Sequence, residues 1–152
     1  MRLTRFTDYT LRTLTYLASH PGHFVTIAEI AGTFRISANH LMKVVQHLAA
    51  EGDIVTMRGQ HGGLRLARPA DTIRLGEVVR RAEPDMDLLP ALDHAADEVL
   101  PNGYLIASIV ERARDAFLAV LDGHTVADLV SHPQMLAPFL ERAPEHVGFD
   151  PR

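Results

Sequence analysis

The stretch TIAEIAGTFRISANHLMKVVQHLAAEGDIVTMRGQHGGLRLAR, residues 26–68, decides the fold of this chain. Apolar residues recur after Thr26 at the spacing of one helix face, which predicts a short helix. A turn over residues 33–36 leads to a second helix that begins after Ser37, and residues 54–68 follow as a hairpin with a glycine-rich tip. The order helix, turn, helix and hairpin predicts a winged helix-turn-helix, and double-stranded DNA recognition is the function that explains most of its residues.

The helix after Ser37 separates an apolar face from a polar one. The Ser37 hydroxyl can cap this helix, because it can accept from an unpaired backbone N–H two or three residues later. The predicted buried face consists of Leu41, Val44, Val45 and Leu48. The opposite face carries Asn39, His40, Lys43, Gln46 and His47. Amide, imidazole and ammonium groups near a helix N-terminus suit the base edges and phosphates of a major groove. A polar face that is simply solvated remains the alternative.

The hairpin strengthens the DNA-binding interpretation. Residues 54–58 and 64–68 are predicted strands, because apolar residues alternate along both. Glycines at 59, 62 and 63 permit the close backbone approach that a wing along a phosphate backbone needs. An ordinary hairpin with a basic loop is the alternative. The candidate DNA-binding residues are Ser37, Asn39, His40, Lys43, Arg58, Gln60, His61 and Arg65.

Composition excludes several functional classes. The 152 residues are enough for one ordinary domain, and 47% of them are hydrophobic, which indicates a folded core. The chain has no apolar run of membrane-spanning length and no signal-peptide pattern, so a cytoplasmic location is expected. Cysteine is absent, which excludes disulfides, thiolate catalysis and thiolate-held clusters. With no nucleophile–base pair at a credible spacing and no phosphate loop, an enzyme is not expected.

The net charge of −4 conceals an asymmetry between the two halves of the chain. Residues 1–81 hold eleven Lys and Arg against six Asp and Glu, which gives +5, whereas residues 82–152 hold four against thirteen, which gives −9. Such asymmetry is typical of a chain in which one half binds nucleic acid.

Two further helices complete the predicted winged helix-turn-helix domain, residues 1–83. Residues 3–19 form the first helix. Its arginines, Arg2, Arg5 and Arg12, are interpreted either as solvated side chains or as phosphate contacts. Apolar residues from Leu75 onward predict a short helix that ends near Pro84.

The C-terminal half contains a predicted dimerisation helix. Residues 84–102 read as a linker or sensing segment, residues 103–131 as the dimerisation region and residues 132–152 as a partly disordered tail. Asn102 is the predicted cap of a long helix over residues 103–122. The helix carries more apolar surface than it can bury alone, and pairing with a second copy would cover it. The candidate dimerisation residues are Ile106, Ile109, Val110, Ala113, Phe117 and Val120. Packing on its own domain alone is the alternative.

Four segments resemble the winged-helix regulator family that includes NsrR and IscR, and they are most similar to NsrR-type repressors. They are MRLTRFTDYTLRTLTYLA, NHLMKVVQHLAAEGDIVTMRG, GGLRLARPADTIRLGEVVRRAEPD and FLAVLDGHTVADL, and together they cover most of residues 1–130. The resemblance implies a homodimeric DNA-binding transcription factor, usually a repressor. It also implies recognition by the helix after Ser37 and insertion of the wing in the minor groove. Because a dimer brings two recognition helices to two half-sites, the expected partner is a palindromic operator.

One departure from the family concerns its iron–sulfur cluster. NsrR-like proteins hold a cluster with three cysteines, whose positions fall near Leu92, Glu98 and Tyr104 here, and none of these can supply a thiolate. Asp8 matches the position that supplies an oxygen ligand to the cluster in some relatives. Because the cysteines are absent here, a structural role is expected for Asp8. The expectation is therefore a regulator without cofactor. The alternative is a sensor of a metal or small molecule that uses residues 85–104, with His94, Asp97, Glu98 and Asp8 as the conceivable metal ligands.

Overall fold

A computed structural model describes residues 2–59, 62–88 and 101–131, and for residues 101–104 it describes the backbone only. The elements in chain order are α1 (Arg5–Ala18), α2 (Ile27–Phe34), α3 (Ala38–Ala50), β1 (Ile54–Met57), β2 (Gly63–Leu66), a 3-10 turn (Ala70–Thr72), α4 (Leu75–Ala82), α5 (Pro101–Asp122) and α6 (Val126–Val130). The predicted fold class, mainly α with a small β wing and a long C-terminal helix, is confirmed. No helix in the described ranges is both long and apolar enough to cross a membrane.

Side-chain caps fix where the helices begin. The Thr4 hydroxyl accepts from the backbone N–H of Thr7 at the start of α1. Thr26 and Glu29 form a reciprocal capping box at the start of α2. The Glu29 carboxylate accepts from the Thr26 backbone N–H at 2.6 Å, and this bond lowers the pKa of Glu29. Ser37 caps α3 as predicted, because its hydroxyl accepts from the backbone N–H of His40.

The predicted cap of the long helix and the predicted strand ends were wrong. Pro101 and Asn102 both belong to the described part of α5, so Asn102 lies within the helix and does not cap it. The strands end at Met57 and Leu66 rather than at residues 58 and 68. The chain turns away after Leu66, and the Arg68 side chain bonds to Asp53.

The wing is held to the body by a third short strand segment. Val25, just before α2, pairs with Leu64, with N–O distances of 2.9 Å and 2.7 Å. A Cβ on Gly63 would lie 2.7 Å from the Val25 carbonyl oxygen, so only glycine allows this approach. The wing is therefore hydrogen-bonded to the segment that leads into α2.

One hydrophobic core supports these elements. Leu14 of α1, Phe34 of α2, Leu41 of α3 and Val78 of α4 are buried in it. Val126 of α6 is buried in the same core, so the chain returns after α5 to pack against α1. The predicted domain boundaries at residues 83, 102 and 131 remain predictions.

Candidate nucleic-acid interface

The exposed face of α3 carries the predicted recognition residues. Leu41, Val44 and Leu48 are fully buried, and this leaves Asn39 and Lys43 exposed on the opposite side of the helix. Neither side chain has a hydrogen-bond or ion-pair partner among the described residues. An amide and an ammonium that lie side by side on an exposed helix face, without partners in the described protein, can contact a major groove.

The two histidines of α3 lie to one side of this face. The His40 ring lies 6.1 Å from the Tyr9 ring, and the His47 ring lies 5.4 Å from the Phe6 ring. Nδ1 of His40 also lies 3.1 Å from the Ser37 hydroxyl. Both rings therefore pack toward α1, which narrows the free recognition face to Asn39, Lys43 and their neighbour Gln46.

The wing presents Arg58 and Arg65 on exposed positions. Gly59, with a φ of 113°, turns the chain directly after Arg58. Arg65 pairs across the sheet with Val55, and its guanidinium lies 5.2 Å from the centre of the Phe24 ring. Gln60 and His61, predicted at the tip, lie outside the described residues.

Arg12 departs from both predictions made for it. Its side chain is buried in α1, where its Nε donates to both carboxylate oxygens of Asp8 at 3.0 Å. The guanidinium also lies over the Phe34 ring, with 5.7 Å to the centroid. Arg12 is thus neither a solvated side chain nor a phosphate contact, because a buried guanidinium requires a partner and Asp8 supplies it. Arg2 and Arg5 are exposed.

Three arginines near α4 are also engaged by acids. Buried Asp53 accepts from Arg68 at 2.7 Å and from Arg81 at 2.8 Å. Arg80 of α4 makes a bidentate pair with Asp122 at the end of α5, at 2.7 Å and 2.6 Å. Hydrogen bonding to Arg80 lowers the pKa of Asp122 and raises that of Arg80.

Most of the remaining cations differ from these arginines, because they have no acidic partner among the described residues. Within the described ranges, eight cations form no ion pair with an acid, and seven of the eight belong to residues 1–81. These eight are Arg2, Arg5, Arg35, Lys43, Arg58, Arg65, Arg74 and Arg112, and Arg74 donates to the backbone carbonyl of Asp122. Four of them, Arg35, Lys43, Arg58 and Arg65, belong to the helix-turn-helix and the wing.

Sequence reasoning missed Arg35. It is exposed and lies in the turn between α2 and α3, with a left-handed φ of 54° as the cap of α2. A basic residue in the turn of a predicted helix-turn-helix was the available signal, because this turn lies beside the N-terminus of the recognition helix.

The predicted dimerisation residues of α5 form an exposed apolar strip. Ile106, Ile109 and Val120 are each more than half exposed, and Ala113 is exposed as well. Val110 and Phe117 are half-buried. Leu118, on another side of the helix, is buried, and α5 packs against α4. The helix thus packs on its own domain by one side and leaves a second apolar side open.

The described residues contain no group of three potential metal ligands. Asp8, a conceivable ligand, is engaged by Arg12. His94, Asp97, Glu98 and Leu92 lie outside the described residues, as does the side chain of Tyr104.

Comparisons with known proteins agree on one family. The model of Rrf2, described as an iron-dependent transcriptional regulator, matches residues 3–132. Over 143 residues the chain is 38% identical to the HTH-type transcriptional regulator NsrR of Bacillus subtilis. This match covers 93% of this chain and 98% of that protein.

Solved structures are similar over nearly the whole fold. CymR, the global cysteine regulator of B. subtilis, is 26% identical with a TM-score of 0.72, over 87% of this chain and 98% of that one. IscR of T. potens has a TM-score of 0.70 over 97% of this chain and 94% of its own, and at 23% identity this likeness concerns the fold alone.

Proposed function

Since this chain belongs to the Rrf2 family of DNA-binding transcriptional regulators, we propose that it is a homodimeric repressor that reads a palindromic operator with α3 and the wing. The predicted resemblance to the NsrR and IscR family is confirmed, and the matched relatives are regulators rather than enzymes. What this proposal adds is the contact residues, the dimer, the sign of regulation and independence from a cluster.

The DNA-contact proposal rests on one observation, namely which cations form ion pairs with acidic side chains and which do not. Four arginines away from the helix-turn-helix and wing face are neutralised by Asp8, Asp53 or Asp122, and these are Arg12, Arg68, Arg80 and Arg81. Cations on this face lack such partners among the described residues. Phosphate binding requires positive charge that is not already neutralised. We therefore propose that Lys43, Arg35, Arg58 and Arg65 contact phosphates, with Asn39 reading a base edge from the exposed face of α3. Ser37, His40, Gln60 and His61 complete the proposed DNA-binding residues.

The proposed dimer follows from the open apolar side of α5. A two-fold pairing of this helix would bury Ile106, Ile109 and Val120 from both copies and place two recognition helices on two half-sites. Ile109→Asp should release monomers and abolish tight operator binding, because an unpaired carboxylate in an apolar interface is costly. Ser108→Asp is the matched control, since Ser108 is an exposed polar residue of α5 outside the apolar strip. Light scattering that finds Ile109→Asp still dimeric would place the interface elsewhere.

The iron–sulfur cluster implied by the family does not fit the donors of this chain. Such clusters are held by thiolates, and the sequence contains no cysteine. The carboxylate of Asp8 is already bonded twice to Arg12. We propose that the protein binds its operator without a cluster, so that the form without cofactor is the active one.

Anaerobic purification tests cluster independence. We expect a colourless protein with no stoichiometric iron or acid-labile sulfide. It should bind the DNA sites recovered by genome-wide mapping equally well with and without nitric oxide. A brown protein that contains iron and sulfide, or one that loses operator binding on exposure to nitric oxide, would contradict the proposal. Expression of the adjacent genes in a deletion strain gives the sign of regulation, and repression predicts that their expression rises.

A further inference from the structure

The outer face of the wing contains an aromatic residue beside an arginine. Val25 and Leu64 pair in antiparallel fashion, so the preceding residue, Phe24, lies next to Arg65 on the same face. Val55 lies on the other side of Arg65. Arg65 is thus the middle residue of a row of three side chains that crosses β1, β2 and the segment before α2.

Among the described residues, the Phe24 ring is the contact recorded for the guanidinium of Arg65. Its Cζ lies 5.2 Å from the centre of the half-buried Phe24 ring, within the range of a cation–π contact. Arg65 has no carboxylate partner in residues 2–59, 62–88 and 101–131, unlike Arg68 three residues later, which Asp53 neutralises. An aromatic face restricts the rotamers of an arginine and leaves its outward N–H groups free to donate.

We propose that Phe24 is a positioning residue for DNA binding, which holds Arg65 in the orientation that contacts a backbone phosphate. The inference rests on the proposed function, since it takes the wing as a DNA-contacting element. It adds a residue that itself belongs to neither the recognition helix nor the wing strands. Holding the guanidinium in advance reduces the entropy that Arg65 loses when it binds DNA.

A double-mutant cycle on the full-length protein tests the role of Phe24. The probe is a random-sequence DNA duplex, titrated over a series of salt concentrations. Arg65→Ala should lower the slope of log K against log salt by about 0.9, the value for one phosphate contact. Phe24→Ala should weaken binding about two- to five-fold, the fold-change that corresponds to a surface cation–π contact. In the Arg65→Ala background, Phe24→Ala should have no further effect on binding.

Two variants separate positioning from folding. Phe24→Tyr retains the ring and should bind DNA as the wild type does, whereas Phe24→Leu retains apolar bulk without the ring and should bind like Phe24→Ala. Equal losses from Phe24→Ala with and without Arg65 would overturn the proposal, because Phe24 would then act through the fold. An unchanged salt slope for Arg65→Ala alone would also overturn it. Lys43→Ala, titrated in parallel, distinguishes the two proposals: if it too leaves the slope unchanged, the proposed DNA face itself is wrong.

Discussion

Several cations lie on the exposed face of the helix-turn-helix and wing, and several others lie at the junction where α4 meets Asp53 and the end of α5. The two regions differ in whether these cations are paired with carboxylates. At the junction, Arg68 and Arg81 meet on buried Asp53, and Arg80 meets Asp122. On the face, Lys43 and Arg58 have no described acidic partner. The same residue types therefore hold the fold together in one region and remain available for a ligand in the other. Net charge of a segment does not distinguish these roles, whereas the partners of each side chain do.

The largest expected effect concerns the buried carboxylate of the junction. Asp53→Ala should lower the free energy of unfolding by about 3 kcal/mol, because it leaves Arg68 and Arg81 without their shared partner. This figure lies at the low end for a broken buried pair, since both arginines are a quarter to a third exposed. Urea denaturation measures the loss. Asp71→Ala, at an exposed position in the nearby 3-10 turn, is the control and should change stability by less than about 0.5 kcal/mol. Equal stabilities of the two variants would remove the distinction between the regions.

On the DNA face the largest single effect should come from Asn39. Asn39→Ala should cost about 1–3 kcal/mol of binding to the preferred operator, if the amide reads a base edge. Binding to random DNA and the free energy of unfolding should change little, because the side chain has no hydrogen-bond partner in the part of the chain that the structure describes. Titration of the variant against both DNA fragments measures the ratio. Equal losses on the operator and on random DNA would remove Asn39 from the residues that read sequence.

The smallest effect is the pH dependence of the Arg80–Asp122 pair. Because Arg80 lowers the pKa of Asp122 in the folded state, the stabilisation is present above the ordinary carboxyl pKa and is lost as the pH falls through the folded value. We expect the difference in melting temperature between wild type and Asp122→Asn to be small and to disappear on acidification. Asp115→Asn, at an exposed position of the same helix, is the control. A difference that grows with acid would have the wrong sign for this pair.

The sequence predicts the elements better than the partners of their side chains. Apolar spacing locates α2, α3 and α4 because one buried face repeats along each helix, and Ser37 marks the start of α3 correctly. Arg12 is misjudged because a charged residue in an amphipathic helix usually faces solvent. Its burial depends on Asp8 one turn earlier and on Phe34, which is distant in sequence. The sequence does not predict the Phe24–Arg65 contact for the same reason. This contact depends on a strand pairing between Val25 and Leu64, which are distant in sequence, and no periodicity indicates it.

If only the unpaired cations bind DNA, the salt dependence of DNA binding must distinguish them from the paired ones. The measurement compares single alanine variants of Arg35, Lys43, Arg58 and Arg65 with those of the paired Arg68, Arg80 and Arg81. Each variant is titrated against the same duplex over a salt series, at a temperature where all of them are folded. We expect each variant of the first group to lower the slope of log K against log salt by about 0.9, and the variants of the second group to leave it unchanged. Lowered slopes in the paired group, or unchanged slopes throughout the unpaired group, would show that ion pairing does not decide which cations bind DNA.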